Sequence, residues 1–404
     1  MDSIFEKIKA LSPEKREFFE KYLLGKGGSS DTNVKAQPYK HGLYVKKELW
    51  IKLQKEVNVY LYRAFPVCII LANENLLPWY THINVQMYAR IFSDGYVICD
   101  YLEDAFFFRE VMNWTTLGYA RLELHTDNIV DYIIDRINEG YYINVCVDEY
   151  YLMCKSSYLK VHYVHENQIY GYDNTERVFK GIGFDKNEML NLITFEYEDF
   201  LKAFNEGKNH YMTYAPYAAD SALTLFSLKD WERERALQLD QFIINFNSFL
   251  SSTGDIRKVS YFCQPGKVPV ELSEKNIVYG MNATKIMLEA VKKMFDGQFL
   301  IDYRAIHLLA EHRKGLFRKL EYIKEKMSLK GEVAELIKSY KQIPDMLENV
   351  RVKVLNGLNP SEHNSEGFKQ TLCEIVQIME SIIEREPEAL RPIYRHLSGG
   401  EEPG

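Results

Sequence analysis

From Leu159 to Phe195 the chain carries strand signals almost without interruption: Leu159 to Tyr170, a turn at Gly171 to Thr175, Arg177 to Phe184, a turn at Asp185 to Asn187, and Met189 to Phe195. Runs rich in Tyr, Val, Ile and Phe, broken by Gly, Asp and Asn, satisfy their backbone groups most directly by pairing with one another, so the segment reads as an antiparallel meander. Such a sheet needs cover, and both flanks supply helices. DNIVDYIIDRINEG (Asp127 to Gly140) puts Ile129, Ile133, Ile134 and Ile137 on an apolar face and ends at a glycine, then leads into the strand-like YYINVCVDEYYL. EYEDFLKAFNEG follows the meander as a helix.

Upstream, the pattern predicts an amphipathic helix over Lys46 to Tyr62, a buried strand over FPVCIILAN (Phe65 to Asn73), a helix opening at Pro78 (PWYTHINVQMYARIF) and a strand from Gly95 (GYVICDYLE). After about Asp220 the periodicity is helical, clearest in Trp231 to Leu250, Asn276 to Phe295, Tyr303 to Met327 and Gly367 to Arg385. With 404 residues, more than one core usually supports, the expected class is α+β: an antiparallel sheet domain followed by a mainly helical region. The expected divisions are a helix over 1–24, a linker over 25–43 with the composition GKGGSSDTN, a sheet domain over 44–215, a helical domain over 216–397 and a disordered tail over 398–404.

A net charge of −7 argues against nucleic acid as a partner, because displacing counterions from phosphate needs a basic face. No apolar stretch approaches the roughly 20 residues that span a bilayer, and MDSIFEKIKALSPEKREFF is charged and amphipathic rather than signal-like, so the expected location is cytoplasmic with no membrane contact. The six cysteines, Cys68, Cys99, Cys146, Cys154, Cys263 and Cys373, have no metal spacing and read as reduced thiols. No phosphate loop, dinucleotide fingerprint, HExxH or clustered Cys/His set occurs, so no cofactor or metal site is expected.

The chemistry-bearing stretch is SYLKVHYVHENQIYGYD, Ser157 to Asp173. A histidine on a strand with an acid one strand away can be held in a fixed tautomer as a general base, and this stretch sets His162 and His165 on such a strand with Asp185 at the following turn. Taken by themselves, His165 reads more plainly as an ordinary strand histidine and Asp185 as a turn former. On a regular strand His162 and His165 point to opposite faces, so His162 is the weaker candidate.

The order GYYINVCVDEYYL, YLKVHYVHENQIYGYD, RVFKGIGFD resembles the BtrH-type N-terminal domain of butirosin biosynthesis, a family related to papain-like cysteine peptidases. The family pattern is a glycine-preceded strand with an Asp near its end, a tyrosine-rich connection, a His before a strand closing in Gly-Tyr-Asp, and an acid opening the next turn. The resemblance spans roughly residues 60 to 205. It implies a papain-like domain over 44–215 in which His165 is the base, Asp185 orients it, and the Tyr170 to Asp173 element, with Trp79 and His162, lines the site.

The chain departs from that pattern at the nucleophile, because a papain-like cysteine stands at a helix N-terminus, where the helix dipole lowers its pKa. Cys68 comes closest in chain order, yet its neighbours read as strand interior, where a packed thiol is the plainer assignment. Trp79, Tyr80, Thr81 and His82 stand nearer the expected helix start, which points to a remodelled or lost site. ALSPEKREFFEKYLLGKG is similar to the docking segments of nonribosomal peptide synthetase subunits, although an amphipathic helix packing on its own domain or on a dimer mate has the same composition.

Together the resemblances imply an acyltransferase or amide-forming enzyme of peptide natural-product (antibiotic) biosynthesis. Its partner would be an acyl or peptidyl carrier protein, bearing a phosphopantetheine thioester, or a synthetase subunit. If Cys68 is not the nucleophile, direct aminolysis of the thioester under general-base catalysis remains open. The alternatives are an inactive papain-like scaffold that binds a synthetase subunit or carrier domain and, further off, a cytoplasmic cysteine peptidase.

Overall fold

Strand β5 (Tyr142–Asp148) and strand β6 (Val164–Asp173) are the axis of a seven-stranded antiparallel sheet in which hydrophobic side chains alternate between two covered faces. The computed structural model describes residues 45–102, 105–214, 221–259, 273, 275–358, 360–362 and 364–403. The expected N-terminal helix and linker lie outside these residues. β6 continues into β7 (Val178–Phe184) and β8 (Leu190–Glu196), the meander read from the sequence, although β6 begins later than expected and runs through Gly171 to Asp173. A short β1 (Lys46–Glu48) pairs with the end of β6 beside a bulge. Gly171 is needed there, since a Cβ at that position would stand 2.8 Å from the Lys47 carbonyl oxygen.

One face of the sheet packs Ile143, Val145, Val147, Ile169, Phe179 and Phe195 among the buried apolar side chains of helix α2 (Ile129–Asn138) and helix α3 (Tyr197–Tyr214). The other packs Tyr142, Tyr170, Ile182 and Phe226 with helix α1 (Leu61–Ile70). α1 corrects the strand expected at Phe65 to Asn73. Nine of its ten residues are buried, so no polar stripe marked a helical period, and an all-apolar run of this length does not distinguish the two structures. The helix expected at Lys46 to Tyr62 is instead β1 and irregular chain, with Gln54 accepting from the Glu56 and Val57 amides.

The helix expected from Pro78 ends at Tyr80. Met87–Ile91 is strand β2, the middle of a second, three-stranded sheet with β3 (Val97–Tyr101) and, from far along the chain, β10 (Ile277–Tyr279). Two further strands complete the large sheet: β4 (Met112–Leu117) at its edge and β9 (Leu223–Leu228) between β4 and β5. β9 comes from the region expected to be helical. Its presence means that the large sheet draws on both sides of the expected division at 215/216, and from Val45 onward the chain forms one compact unit.

The helical region comprises α4 (Leu239–Leu250), α5 (Gly280–Lys292), α6 (Tyr303–Lys326), α7 (Glu332–Tyr340), α8 (Gln342–Gly357) and α9 (Glu366–Leu397). Its core is the larger apolar cluster, shared with β2 and β3. Inside it the fully buried Arg313 is paired at 2.7 Å with Glu386, which also accepts from the Tyr340 hydroxyl, and Arg313 donates to Thr284. Four polar groups thus satisfy one another where water is absent. The expected disordered tail begins as an ordered helix cap, in which the Ser398 and Gly400 amides donate to the Tyr394 and Arg395 carbonyls.

Candidate functional site

β5 ends at Asp148, Glu149 follows it as the first residue of a short 3-10 turn, and β6 is entered through His162 and Tyr163 and opens with Val164 and His165. The β5–β6 register sets Asp148 opposite Val164 and Val147 opposite His165, so each acid meets one histidine. His162 Nδ1 lies 2.6 Å from Asp148 Oδ2. His165 Nδ1 lies 3.4 Å from Glu149 Oε1, a charge contact without hydrogen-bond geometry.

The two pairs differ in their setting. Asp148 is buried, with Oδ1 accepting the backbone N–H groups of Tyr150 and Tyr163, and this fixes the carboxylate that holds His162. The His162 side chain is 58% exposed and stacks on the Tyr150 ring at 4.2 Å. Its Nε2 has no hydrogen-bond partner among the described residues. An oriented imidazole with one nitrogen bound to a buried carboxylate and the other open is the arrangement of a general base. His165 is more enclosed, at 25% exposure, between the rings of Tyr163 and Phe184.

Beneath His165, the Lys155 ammonium is buried against Glu149 at 3.0 Å, the Phe184 carbonyl at 2.7 Å and the Asn167 side-chain oxygen. Burial pushes the Glu149 carboxyl up, but the adjoining His165 ring and Lys155 ammonium outweigh it and hold the group below its ordinary value. Burial brings Lys155 down against the pull of Glu149. Gly183 makes room for this cluster, because a Cβ there would overlap Asn167 and approach Lys155 Nζ at 2.8 Å.

The expected site residues separate. Asp185 does not reach His165; its carboxylate accepts from the Asn187 and Met189 amides and the Asn191 side chain, closing its own turn. A residue that opens a hairpin turn directs its short side chain back to that turn's amides, which is why the acid partner comes from β5. Asp173 likewise accepts from the Thr175 and Glu176 amides. Tyr170 is buried in the sheet face toward α1. Trp79 is wholly buried in the same cluster, edge-on to His82, so its ring presents no surface to solvent. Leu76, Pro78, Trp79 and Tyr80 are buried, so no exposed helix start lies at Pro78.

Cys68 is also corrected: it is wholly buried in α1, and burial pushes its thiol up to about 11, so it carries no reactive thiolate. The start of α1 presents Val59, Tyr60, Leu61 and Tyr62 rather than a cysteine, and Glu311 of α6 accepts from the Asn58 and Val59 amides. Cys154 is partly exposed, its thiol pushed up to about 11 by burial. Cys263 lies outside the described residues.

Sequence reasoning missed the roles of Glu149, Lys155 and Tyr150. A signal for Asp148 was present, since an acid near the end of that strand belongs to the pattern that carried the resemblance. No group of three or more His, Cys, Asp or Glu able to hold a metal occurs among the described residues, and no described helix is long and apolar enough to cross a membrane. No protein-family model and no curated protein matches the chain.

Proposed function

We propose that this protein transfers an acyl group from a carrier-protein thioester to an amine by general-base catalysis, without a covalent cysteine intermediate. The observation that carries this reading is the 2.6 Å His162–Asp148 pair with its open Nε2. His162 Nε2 takes the proton of the attacking amine as the N–C bond forms; the C–S bond then breaks and the pantetheine thiolate leaves, taking up that proton. Asp148 holds the imidazole and stabilises it while protonated. His165, beside Glu149, is the second candidate base. The carrier-bound donor rests on the sequence resemblance.

A binding scaffold is the second reading, and the Glu311 contact to the start of α1 favours it, since a carboxylate occupies amides next to the place where a papain-like enzyme would present its thiol. Mixing the full chain with an acyl-pantetheine thioester and a primary amine, and following amide and free thiol by mass spectrometry, separates the two. Enzyme action predicts turnover with no protein adduct and a fall of about 10²- to 10⁴-fold in His162→Ala. Equal turnover in His162→Ala would remove the His162 mechanism, and carrier binding without turnover in wild type would establish the scaffold.

A further inference from the structure

On the face of the large sheet that α1 covers, the apolar lining stops partway along β5 and β6. Tyr142 and Tyr170 belong to the cluster around α1, but the next side chains on that face are Asn144 and Gln168, which stand opposite each other in the ladder. Beyond them Cys146 stands opposite Glu166, and β5 then ends at Asp148, which holds His162. A strip of polar side chains thus runs from the interior to the candidate base.

Gln168 is wholly buried, and neither its Nε2 nor its Oε1 has a hydrogen-bond partner among the described residues; the buried Oδ1 of Asn144 has none either. Buried carboxamides are ordinarily paired, because leaving their donors and acceptors unmet is costly. Asn167, one residue away and turned to the other face, shows the ordinary case: its oxygen accepts from Lys155 and its nitrogen donates to the His165 carbonyl. Burial raises the Glu166 carboxyl above its ordinary value, against the pull of His165 and of a hydrogen bond from Asn144. Asn144 and Glu166 are only partly buried, so the strip reaches solvent there and is closed at Gln168.

We propose that this strip holds the pantetheine arm of the acyl donor, with the arm's outer amide on Gln168 and Asn144 and its thioester at His162. The assignment rests on the thioester donor proposed for this protein. An amide presents one N–H and one C=O, the complement of the unmet groups of Gln168. Asn144 and Asp148 lie four positions apart on β5, about 13 Å along the strand. From the outer amide carbon of pantetheine to the thioester carbon there are as many bonds as in three residues of extended chain, about 10 Å, and the side chains at the two ends span the remainder. The arm carries no side chains between its amides, which suits a place as enclosed as Gln168.

The test is calorimetric titration of the full chain with pantetheine itself, which needs no turnover. Wild type should bind it, and Gln168→Met, which keeps the shape of the side chain and removes its polar atoms, should raise the Kd roughly tenfold or more. The same variant should be at least as stable as wild type in urea, because it removes two unmet polar atoms; a side chain with a purely structural role would lose stability instead. N-acetylcysteamine, which lacks the outer amide, should bind more weakly and with the same Kd in both proteins. This pattern without thioester turnover would leave the site standing and remove the proposed reaction. No binding of pantetheine, or equal binding in Gln168→Met, would overturn the proposal and leave the strip to ordered water. A loss of urea stability in Gln168→Met would overturn it too. So would tighter binding of N-acetylglycylglycinamide than of pantetheine, which would give the strip to a peptide.

Discussion

His162 and Asp148 meet because the β5–β6 register brings the last residue of one strand beside the loop that enters the next, 2.6 Å apart across a gap in sequence filled by a tyrosine-rich connection. Asp148 is held by two backbone amides before it touches the histidine, so the acid is in place whatever the state of the ring. Asp148→Asn should therefore keep the fold while presenting an amide to Nδ1 and lowering thioester aminolysis by about 10²-fold or more, with kcat falling rather than KM rising. Steady-state kinetics with acyl-pantetheine checks this.

Lys155 and Glu149 form a buried pair, and removing one partner strands the other's charge. Lys155→Met should cost about 3–5 kcal/mol in urea unfolding, whereas Lys155→Met with Glu149→Leu should recover much of the loss. A double variant as unstable as the single would show that Glu149 is not the charge being stranded.

Gly183→Ala should destabilise by about 1–3 kcal/mol, since the added methyl meets the Asn167 oxygen and the Lys155 ammonium, whose shift would break their buried hydrogen bonds to each other and to the Phe184 carbonyl. Thermal unfolding reads the effect. Gly367→Ala, where a Cβ meets open space, should cost nothing and serves as the control.

His312 is wholly buried in α6, its Nε2 donating to the Val85 carbonyl and its Nδ1 facing Arg313. Burial first, and then the neighbouring guanidinium, push its pKa well below the ordinary histidine range. The unfolded chain therefore binds this proton before the folded chain does. This group's contribution to stability is full above about pH 6.5 and falls as the pH drops below that value, by up to about 1.4 kcal/mol per pH unit, until the folded pKa is reached. Urea unfolding from pH 7 to 5 should show the fall, and His312→Gln should lessen its slope.

Cys68 should resist thiol reagents in the native state while the exposed Cys373 reacts, and Cys68 should become reactive only on unfolding. Peptide mapping after labelling decides this, and rapid native labelling of Cys68 would contradict the burial described.

Where the local pattern and the final environment agree, the sequence alone determined the structure. The β6 to β8 meander is legible in its β-branched and aromatic runs broken by turn residues, and β8 and α2 have alternating or stripe-like polarity because each keeps a solvent-facing side, an asymmetry written in the residues. The long-range environment decided the rest. α1 and β2 are buried nearly all round, so neither carries a period to read, and β9 became a strand because an open place between β4 and β5 offered it partners on both sides. The site follows the same division. His162 and His165 could be singled out as residues, but their acids depend on pairing between strands, a register that the hydrogen-bond ladder fixes and that no local spacing encodes. Asp185, the acid legible beside its turn, was claimed by the turn itself.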